Sequence, residues 1–267
     1  MKISTWNINS VRLRLSSLAQ IIKDICPDVI CLQEIKVKNE LFPSKELSVL
    51  GYPYQAVTGM KSYNGVAILS RLPLTKIVVR DWCKKADCRH ISAIIQDTNF
   101  SPIELHNFYI PAGGDTPNPI ENEKFAHKLA FLKEVTEWQK SRTKRTKNMV
   151  LVGDLNIAPL PSDVWSHKQL LKVVSHTPIE TEALNQLQIS GPWVDAVRKI
   201  IPPQKNLFTW WSYRSKDWTK NNRGRRLDHI WVSESLEQNV SDANVYQDTR
   251  SWERPSDHVP VTITLSQ

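Results

Sequence analysis

The sequence predicts an α/β fold, and three patterns carry that prediction. Residues 2–6 and 28–32 read as strands on either side of a stretch with apolar residues at helical spacing, which makes a βαβ unit with parallel strands. Residues 52–109 hold several short strand patterns separated by turns. Residues 149–152 are four consecutive apolar residues, typical of a strand buried on both faces. We therefore expect parallel and antiparallel strands covered by helices.

Helices are predicted where apolar residues recur every three or four positions. The first has Ser10 as its N-cap and ends before Pro27, and a longer one covers residues 120–141. Shorter helices are predicted at residues 179–188 and 194–200, as cover for a sheet. The strands at 91–96 and 103–108 are expected to be antiparallel neighbours. The basic run at residues 140–147 is interpreted as a solvated connection in preference to a nucleic-acid contact.

Length and composition indicate one domain over residues 1–267, with 40% hydrophobic residues and a net charge of +8. That charge is compatible with a polyanionic partner but does not require one. No stretch approaches the roughly 20 apolar residues of a membrane span, and the amino terminus has no signal sequence. The four cysteines form no CxxC pair and are expected to be buried thiols in a reducing compartment. We expect an unexported, soluble protein.

Polar residues stand at the ends of the predicted strands. Asn7 and Glu34 follow the two parallel strands, whose carboxyl ends lie at one edge of a sheet. Asp154 and Asn156 follow the strand at 149–152, two positions apart, so in an extended backbone both side chains point the same way. The alternative for this pair is an ordinary Asp/Asn turn, which is common after strands.

Further polar groups near predicted strands complete a candidate site: Asp228, Asp257 and His258. Tyr109 also stands at a strand end, but a tyrosine in this position is most often a packing residue. A ligand set rich in oxygen and poor in sulfur suits a hard cation such as Mg²⁺, with Glu34 as the best ligand, and does not suit zinc. His258 is left for acid–base or phosphate chemistry, with Asp228 orienting its ring. No serine or cysteine stands out as a nucleophile, so water is the expected attacker.

The carboxyl third of the chain interleaves aromatic residues with arginines, a composition that suits stacking on bases or sugars and neutralising phosphates. The alternative is strand core, which we prefer for Phe208 and Trp231.

Eight motifs in order carry a family resemblance: Trp6-Asn7-Ile8-Asn9-Ser10, Leu32-Gln33-Glu34-Ile35-Lys36, Asn64-Gly65-Val66-Ala67, Asn107-Phe108-Tyr109, Gly153-Asp154-Leu155-Asn156, Thr209-Trp210-Trp211-Ser212-Tyr213-Arg214, Arg226-Leu227-Asp228 and Ser256-Asp257-His258. Over nearly the whole chain, this pattern resembles the exonuclease III family of apurinic/apyrimidinic endonucleases.

The resemblance implies a four-layered α/β sandwich, with two packed mixed β-sheets flanked by helices. It implies hydrolysis of the phosphodiester 5′ to abasic sites, with 3′ to 5′ exonuclease and 3′-phosphatase action. The implied cofactor is Mg²⁺, with Mn²⁺ able to replace it. The implied partner is double-stranded DNA with abasic sites or blocked 3′ ends, acted on by a monomer in the bacterial cytoplasm.

The resemblance also implies residue roles. Glu34 matches the principal metal ligand, and the metal-binding set is Asn7, Glu34, Asp154, Asn156, Asp257 and His258. Asp154 matches the residue that orients or deprotonates the attacking water, and Asn156 helps hold the scissile phosphate. His258, paired with Asp228, and Tyr109 match residues near the phosphate. The expected DNA contacts are Lys36, Trp210, Arg214 and Arg223, with Trp210 against an extruded abasic sugar.

Three positions depart from the family pattern. Asn9 stands where some members have an aspartate, which removes one possible metal carboxylate. The loop at residues 112–115 lacks the larger polar or basic residues of some relatives, and Arg225 replaces an aromatic residue beside the sugar pocket. Related enzymes act on lipids or inositol phosphates, but the aromatic and basic segment favours DNA. A catalytically inactive DNA-binding module is disfavoured, because Glu34, Asp154 and His258 are all present.

Overall fold

The computed structural model describes residues 1–98, 100–142, 147–215 and 217–267. The strands of this part of the chain are β1 (Lys2–Asn7), β2 (Val29–Gln33), β3 (Tyr54–Met60), β4 (Tyr63–Ser70), β5 (Leu74–Val79), β6 (His90–Ile95), β7 (Ile103–Tyr109), β8 (Asn148–Asp154), β9 (Trp193–Asp195), β10 (Asp228–Ser233), β11 (Val240–Val245) and β12 (Val261–Leu265). The α-helices are α1 (Leu15–Ile25), α2 (Ser44–Val49), α3 (Glu123–Ser141), α4 (His167–Leu170), α5 (Pro178–Ile189), α6 (Ala196–Ile200), α7 (Trp218–Asn221) and α8 (Glu234–Glu237).

The strands form two mixed six-stranded sheets. The first has the order β11-β12-β1-β2-β4-β3 and the second the order β5-β6-β7-β8-β10-β9. The pairs β1/β2 and β7/β8 are parallel, and β6 and β7 are antiparallel neighbours as predicted. Helices α1 and α2 cover the outer face of the first sheet, and α3 and α5 cover that of the second. The predicted fold, two packed mixed sheets flanked by helices, is confirmed.

The alternation of side chains between the two faces of the central strands explains why each sheet packs on the other sheet and on helices. In β8, Val150 and Val152 face the core between the sheets, while Met149 and Leu151 face the helices. Side chains in a strand point alternately to the two faces, so a strand covered on both sides needs an apolar residue at every position. The continuous apolar run at residues 149–152 was read correctly for this reason.

A buried polar contact fixes the two sheets against each other below the strand ends. The Gln33 amide of β2 donates to Thr5 Oγ1 (2.9 Å) and to Asn107 Oδ1 of β7 (2.7 Å). Asn107 Nδ2 donates in turn to the backbone oxygens of Leu32 (3.0 Å) and Ala67 (2.9 Å) in the first sheet. Because unpaired polar groups are costly in a core, these contacts favour one alignment of the sheets.

Two helix starts were predicted wrongly. Helix α1 begins at Leu15, and Ser10 does not cap it. Asn9 and Ser10 have positive φ angles of 47° and 89°, and Ser10 N donates to Glu34 O instead. The loop after β1 therefore continues alongside the loop after β2. Helix α3 begins at Glu123, where Asn122 accepts hydrogen bonds from the next turn.

The expectation that the cysteines are buried thiols is correct only in part. All four cysteines are free, but Cys31 alone is buried, Cys26 is exposed, and Cys83 and Cys88 are intermediate. Residues 143–146 of the basic run lie outside the described residues. Across the described ranges, no helix has both the length and the apolar character that crossing a membrane would require.

Candidate active site

The predicted polar residues meet where strands of both sheets end. Asn7 is the last residue of β1, Tyr109 of β7 and Asp154 of β8, while Glu34 directly follows β2. Asp228 opens β10 and lies opposite Asp154 in the antiparallel ladder. One sheet supplies Asn7 and Glu34 and the other supplies the remaining three, so the packing of the sheets assembles the site.

Glu34 is surrounded by donors. Its Oε1 accepts from Asn7 Nδ2 (2.9 Å) and the Tyr109 hydroxyl (2.8 Å), and its Oε2 pairs with Lys36 Nζ at 2.7 Å. Burial alone would raise the pKa of Glu34, but the Lys36 charge and these hydrogen bonds outweigh it and lower the pKa. Burial and the Glu34 and Asp154 charges keep the pKa of Tyr109 well above its usual value. Glu34 is therefore an anion and Tyr109 a neutral donor.

Asp154 lies beside Glu34 and is bridged to it by Asn7. The amide Nδ2 of Asn7 donates to Asp154 Oδ2 at 2.9 Å as well as to Glu34. Burial raises the pKa of Asp154, and the neighbouring His258 opposes that effect. A carboxylate whose pKa is raised toward neutral pH is a better proton acceptor than an exposed carboxylate with its usual low pKa.

Asn156 is held by a turn that differs from the predicted extended backbone. Its φ is 54°, and its backbone N–H donates to Asp154 Oδ1 at 2.9 Å, which is the Asp turn weighed as the alternative. Asn156 Nδ2 donates to Ile110 O at 2.9 Å. Asn156 and Asp154 nevertheless line the same cavity, so the turn and the site are both present.

His258 and Asp228 form a buried pair. His258 Nδ1 and Asp228 Oδ2 lie 2.8 Å apart, and the same oxygen accepts from Thr209 Oγ1 at 2.6 Å. His258 Nε2 points to Asp154 Oδ2 at 3.6 Å. Burial alone would lower the pKa of His258, but the Asp228 and Asp154 carboxylates outweigh it and raise the pKa. The two carboxylates therefore favour the protonated form of the ring, and its Nε2 faces the site.

The donor set fits a hard cation. Four carboxylates, those of Glu34, Asp154, Asp228 and Asp257, lie at or directly beneath the cavity described below, and Asp228 Oδ1 is buried without a hydrogen-bond partner in the described part of the chain. Asp154, Asp228 and His258 lie within 4.8 Å of one another and could hold an ion. An ion there would have to displace the His258–Asp228 hydrogen bond, so we favour the Glu34 and Asp154 oxygens as its ligands.

Two of the predicted ligands make other contacts in this conformation. Asn7 faces the carboxylates with its Nδ2, while its Oδ1 accepts from Asn9 N at 3.1 Å. An amide nitrogen donates and does not ligate a cation, so Asn7 would have to turn its amide over to act as a ligand. Asp257 accepts from Trp210 Nε1 (2.9 Å) and Asn9 Nδ2 (3.1 Å), so it orients the neighbouring indole.

A cavity of about 560 Å³ opens over these groups. The predicted residues that line it are Glu34, Tyr109, Asp154, Asn156, Trp210, Arg214, Arg223, Asp257 and His258. The Arg223 guanidinium lies 4.7 Å from the ring centre of Trp165, which also lines the cavity. An adjoining cavity of about 510 Å³ shares Glu34 and Tyr109 and adds Lys36. All four predicted DNA contacts therefore border the site, while Asn7 and Asp228 lie beneath it.

A buried ion pair that was not predicted from the sequence supports the site. Lys128 Nζ pairs with Glu180 Oε1 at 2.5 Å and donates to the backbone oxygens of Asn156 (2.8 Å) and Ala112 (3.2 Å). Glu180 also accepts from the backbone N–H of Ser175 (2.9 Å). The pair joins three loops that border the cavity. Its sequence signal was a lysine on the apolar face of α3.

Comparisons with known proteins agree with this geometry. Residues 4–258 match the model of the Endonuclease/Exonuclease/phosphatase family, and the chain belongs to that family. Within it, the chain is 33% identical to the exodeoxyribonuclease III of Haemophilus influenzae over 98% of both chains. It is 26% identical to a Bacillus subtilis exodeoxyribonuclease over the full length of both. The family predicted from the eight motifs is confirmed.

Solved structures give the same result. The fold matches the 3′ phosphatase NExo from Neisseria, solved bound to a product DNA hairpin, with a TM-score of 0.90 and 30% identity over all of both chains. It matches an AP endonuclease from Archaeoglobus fulgidus with a TM-score of 0.90 and 31% identity, again over all of both chains.

Proposed function

We propose that this protein is a Mg²⁺-dependent DNA repair nuclease. It hydrolyses the phosphodiester 5′ to abasic sites in duplex DNA and removes blocking groups from 3′ ends, as a single domain over residues 1–267 and as a monomer. The observation that carries the proposal is the meeting of Glu34, Asp154 and His258 at the joined strand ends of two sheets. The relatives named above, which include an exodeoxyribonuclease III, an AP endonuclease and a 3′ phosphatase, support the substrate class.

Each side chain has a chemical task that follows from its surroundings. Asp154, which Asn7 holds beside Glu34, orients the attacking water and accepts its proton. The His258 imidazolium, held by Asp228, donates from Nε2 to a phosphate oxygen and stabilises the charge that develops on it. Tyr109 supplies a second neutral donor beside Glu34. A cation held by Glu34 and Asp154 would polarise the phosphate and offset its charge.

Selectivity for damaged DNA follows from the size of the cavity. A duplex cannot enter a cavity of about 560 Å³, whereas one extruded sugar or a small 3′ fragment can. An abasic sugar has lost its stacking and pairing, so it leaves the helix at lower cost than a normal nucleotide. The exposed arginines Arg214 and Arg223 at the rim suit contacts to backbone phosphates. Binding is therefore expected to weaken steeply with salt.

The lining also favours DNA over a lipid or inositol phosphate. Trp165 and Trp210 give the cavity flat aromatic faces, and Arg214 and Arg223 supply positive charge beside them. Aromatic faces and cations together suit a sugar–phosphate chain.

The test is cleavage of a duplex that carries one tetrahydrofuran abasic analogue. We expect a nick 5′ to the analogue with Mg²⁺, and loss of cleavage in excess EDTA that added Mg²⁺ restores. An intact duplex of the same sequence is the control for lesion dependence, and a duplex ending in a 3′-phosphate measures the second activity. Undiminished nicking in EDTA would show that the reaction needs no metal ion. If neither damaged duplex were cleaved, the proposed nuclease function would be wrong.

A further inference from the structure

One arginine of the cavity, Arg225, makes no direct ion pair with the residues that the structure describes. Arg225 Nη1 donates to Val174 O (2.9 Å) and Ser175 Oγ (2.8 Å), and both acceptors are neutral. Its guanidinium stacks 5.2 Å from the ring centre of Trp210. Among the described residues, no carboxylate lies within ion-pair distance of Arg225. The guanidinium is thus held in a defined place in the wall of the cavity, with its charge available.

The next residue shows how this chain treats an arginine with a structural role. Arg226 is fully buried and paired with Asp195 and Asp163. Arg225 is partly buried, lines the cavity, and loses hydration without gaining such a partner. Burial lowers the pKa of Arg225, and Glu180 opposes that only through a longer-range interaction. A desolvated cation without a counterion favours an anionic ligand.

Trp210 connects Arg225 to the catalytic groups. Its backbone pairs with Arg225 on one side and with the His258 segment on the other, and its Nε1 donates to Asp257. Trp210 thus lies between the His258 segment and Arg225, so a group esterified to a phosphate at His258 can extend along Trp210 toward Arg225. The substituents small enough for this space are one extruded sugar or the fragment at a 3′ end, not the duplex.

We propose that Arg225 is a specificity-determining residue, which selects 3′ fragments that carry a negative charge on the group esterified to the scissile phosphate. A carboxylate is the chemistry that fits best, because guanidinium pairs with it through two parallel hydrogen bonds. A neutral fragment, including a base-free sugar, gains nothing from Arg225 beyond contact with Trp210. This inference rests on the proposed hydrolysis of DNA phosphodiesters and names which of its substrates the cavity prefers.

The test uses two hairpin duplexes that differ in one group. One ends in a 3′-phosphoglycolate, which carries a carboxylate, and the other in a 3′-phospho-(2-hydroxyethyl) ester, which is neutral and of similar size. The wild-type protein should have a kcat/KM about tenfold or more higher on the glycolate, the size expected for one charge-assisted contact. Arg225→Gln should abolish that ratio by slowing the glycolate alone, and Arg225→Lys should keep part of it.

The affinity of the two hairpins in EDTA, measured by fluorescence anisotropy, gives a readout without turnover. The wild-type protein should bind the glycolate hairpin more tightly, and Arg225→Gln should bind both alike. Arg80→Gln is the matched control, because Arg80 also stacks on a tryptophan, Trp82, which does not line the cavity. Thermal unfolding of each variant shows whether it is folded.

The outcomes separate the possible roles of Arg225. Equal losses on the two hairpins in Arg225→Gln would mean that Arg225 only holds the loop at Val174 and Ser175, and would overturn the proposal. A wild-type protein without preference in either rate or affinity would overturn it as well. If neither hairpin were cleaved, the proposed nuclease function would fail, while the ratio of affinities in EDTA would still decide the role of Arg225.

Discussion

Two groups of buried charges lie on opposite sides of Asn156, and they differ in balance. On one side Lys128 pairs with Glu180, and the pair is completely buried with its hydrogen bonds made. On the other side Asp154 accepts from Asn156 N, and the buried carboxylates of Asp154 and Asp228 face one shared cationic partner, His258. The first group is complete within the chain. The second has an excess of negative charge that a bound cation would neutralise.

This difference in charge balance distinguishes buried charges that stabilise the fold from those that take part in the reaction. Buried ion pairs are costly to break, because the partner left behind has neither water nor a counterion. An unbalanced buried cluster is costly as it stands and persists where function needs it. Mutation of Lys128 should therefore lower stability, whereas mutation of Asp154 or His258 should lower turnover.

The largest effect is expected at the unbalanced group. Asp154→Asn removes the reacting carboxylate while keeping its shape, and His258→Asn replaces the imidazole with a smaller neutral amide, so kcat should fall by about 10² to 10⁴ in each variant. Stability should hold or rise in Asp154→Asn, because that change removes the cost of burying the Asp154 charge, which is larger than its attraction to His258. Single-turnover kinetics on the abasic duplex and thermal unfolding check both statements.

Asp248→Asn is the control for these two variants, since Asp248 is an exposed residue outside the cavity. A kcat within threefold of the wild-type value in either active-site variant would mean that the residue has no part in the chemistry.

The next effect is expected at the balanced pair. Lys128→Met leaves the Glu180 carboxylate buried without its partner, which should cost about 3–5 kcal/mol in free energy of unfolding. Adding Glu180→Gln removes the stranded charge and keeps an acceptor for Ser175 N, so the double variant should recover much of the loss. Urea unfolding of the wild-type, single and double variants forms the cycle.

Lys133→Met is a matched control on the same helix, because the Lys133 side chain is 77% exposed. It should change stability by less than about 0.5 kcal/mol. If the double variant were no more stable than Lys128→Met, the loss could not be assigned to a stranded charge.

Local patterns explain how much of this molecule the sequence predicts. The strands were found because β8 and its neighbours have apolar residues on the faces they bury, and Asn7, Glu34 and Asp154 follow from their places at strand ends. The start of α1 was missed because Ser10 resembles a cap, while its backbone instead pairs with Glu34 in a loop of another strand. That contact is set by the tertiary fold and has no local signature.

Side-chain pairings between sheets are harder still to predict. The left-handed backbone of Asn156 and the bridge from Asn7 to Asp154 depend on how the two sheets pack. Lys128 was predictable in principle, because it lies at helical spacing with the buried residues Phe125 and Leu132. Its partner Glu180 is on another helix, and no spacing in the sequence relates the two.

The smallest expected effect concerns a third buried group, the histidines His90 and His106, whose surroundings favour the neutral form. His90 and His106 lie side by side in sheet two, with His90 Nε2 3.1 Å from His106 Nδ1 and the His90 ring stacked 4.0 Å from that of Phe108. Burial lowers the pKa of both histidines. Below about pH 6.5 both histidines are protonated in the unfolded protein but not in the folded protein. The stability they contribute is therefore present above about pH 6.5 and is lost as the pH falls below it.

His90→Phe removes one of these two titrating groups. Between pH 6.5 and 5.5, the free energy of unfolding of this variant should fall by about 1 kcal/mol less than that of the wild-type protein. Urea unfolding at the two pH values measures this difference, and equal falls in both proteins would mean that His90 does not contribute to acid sensitivity.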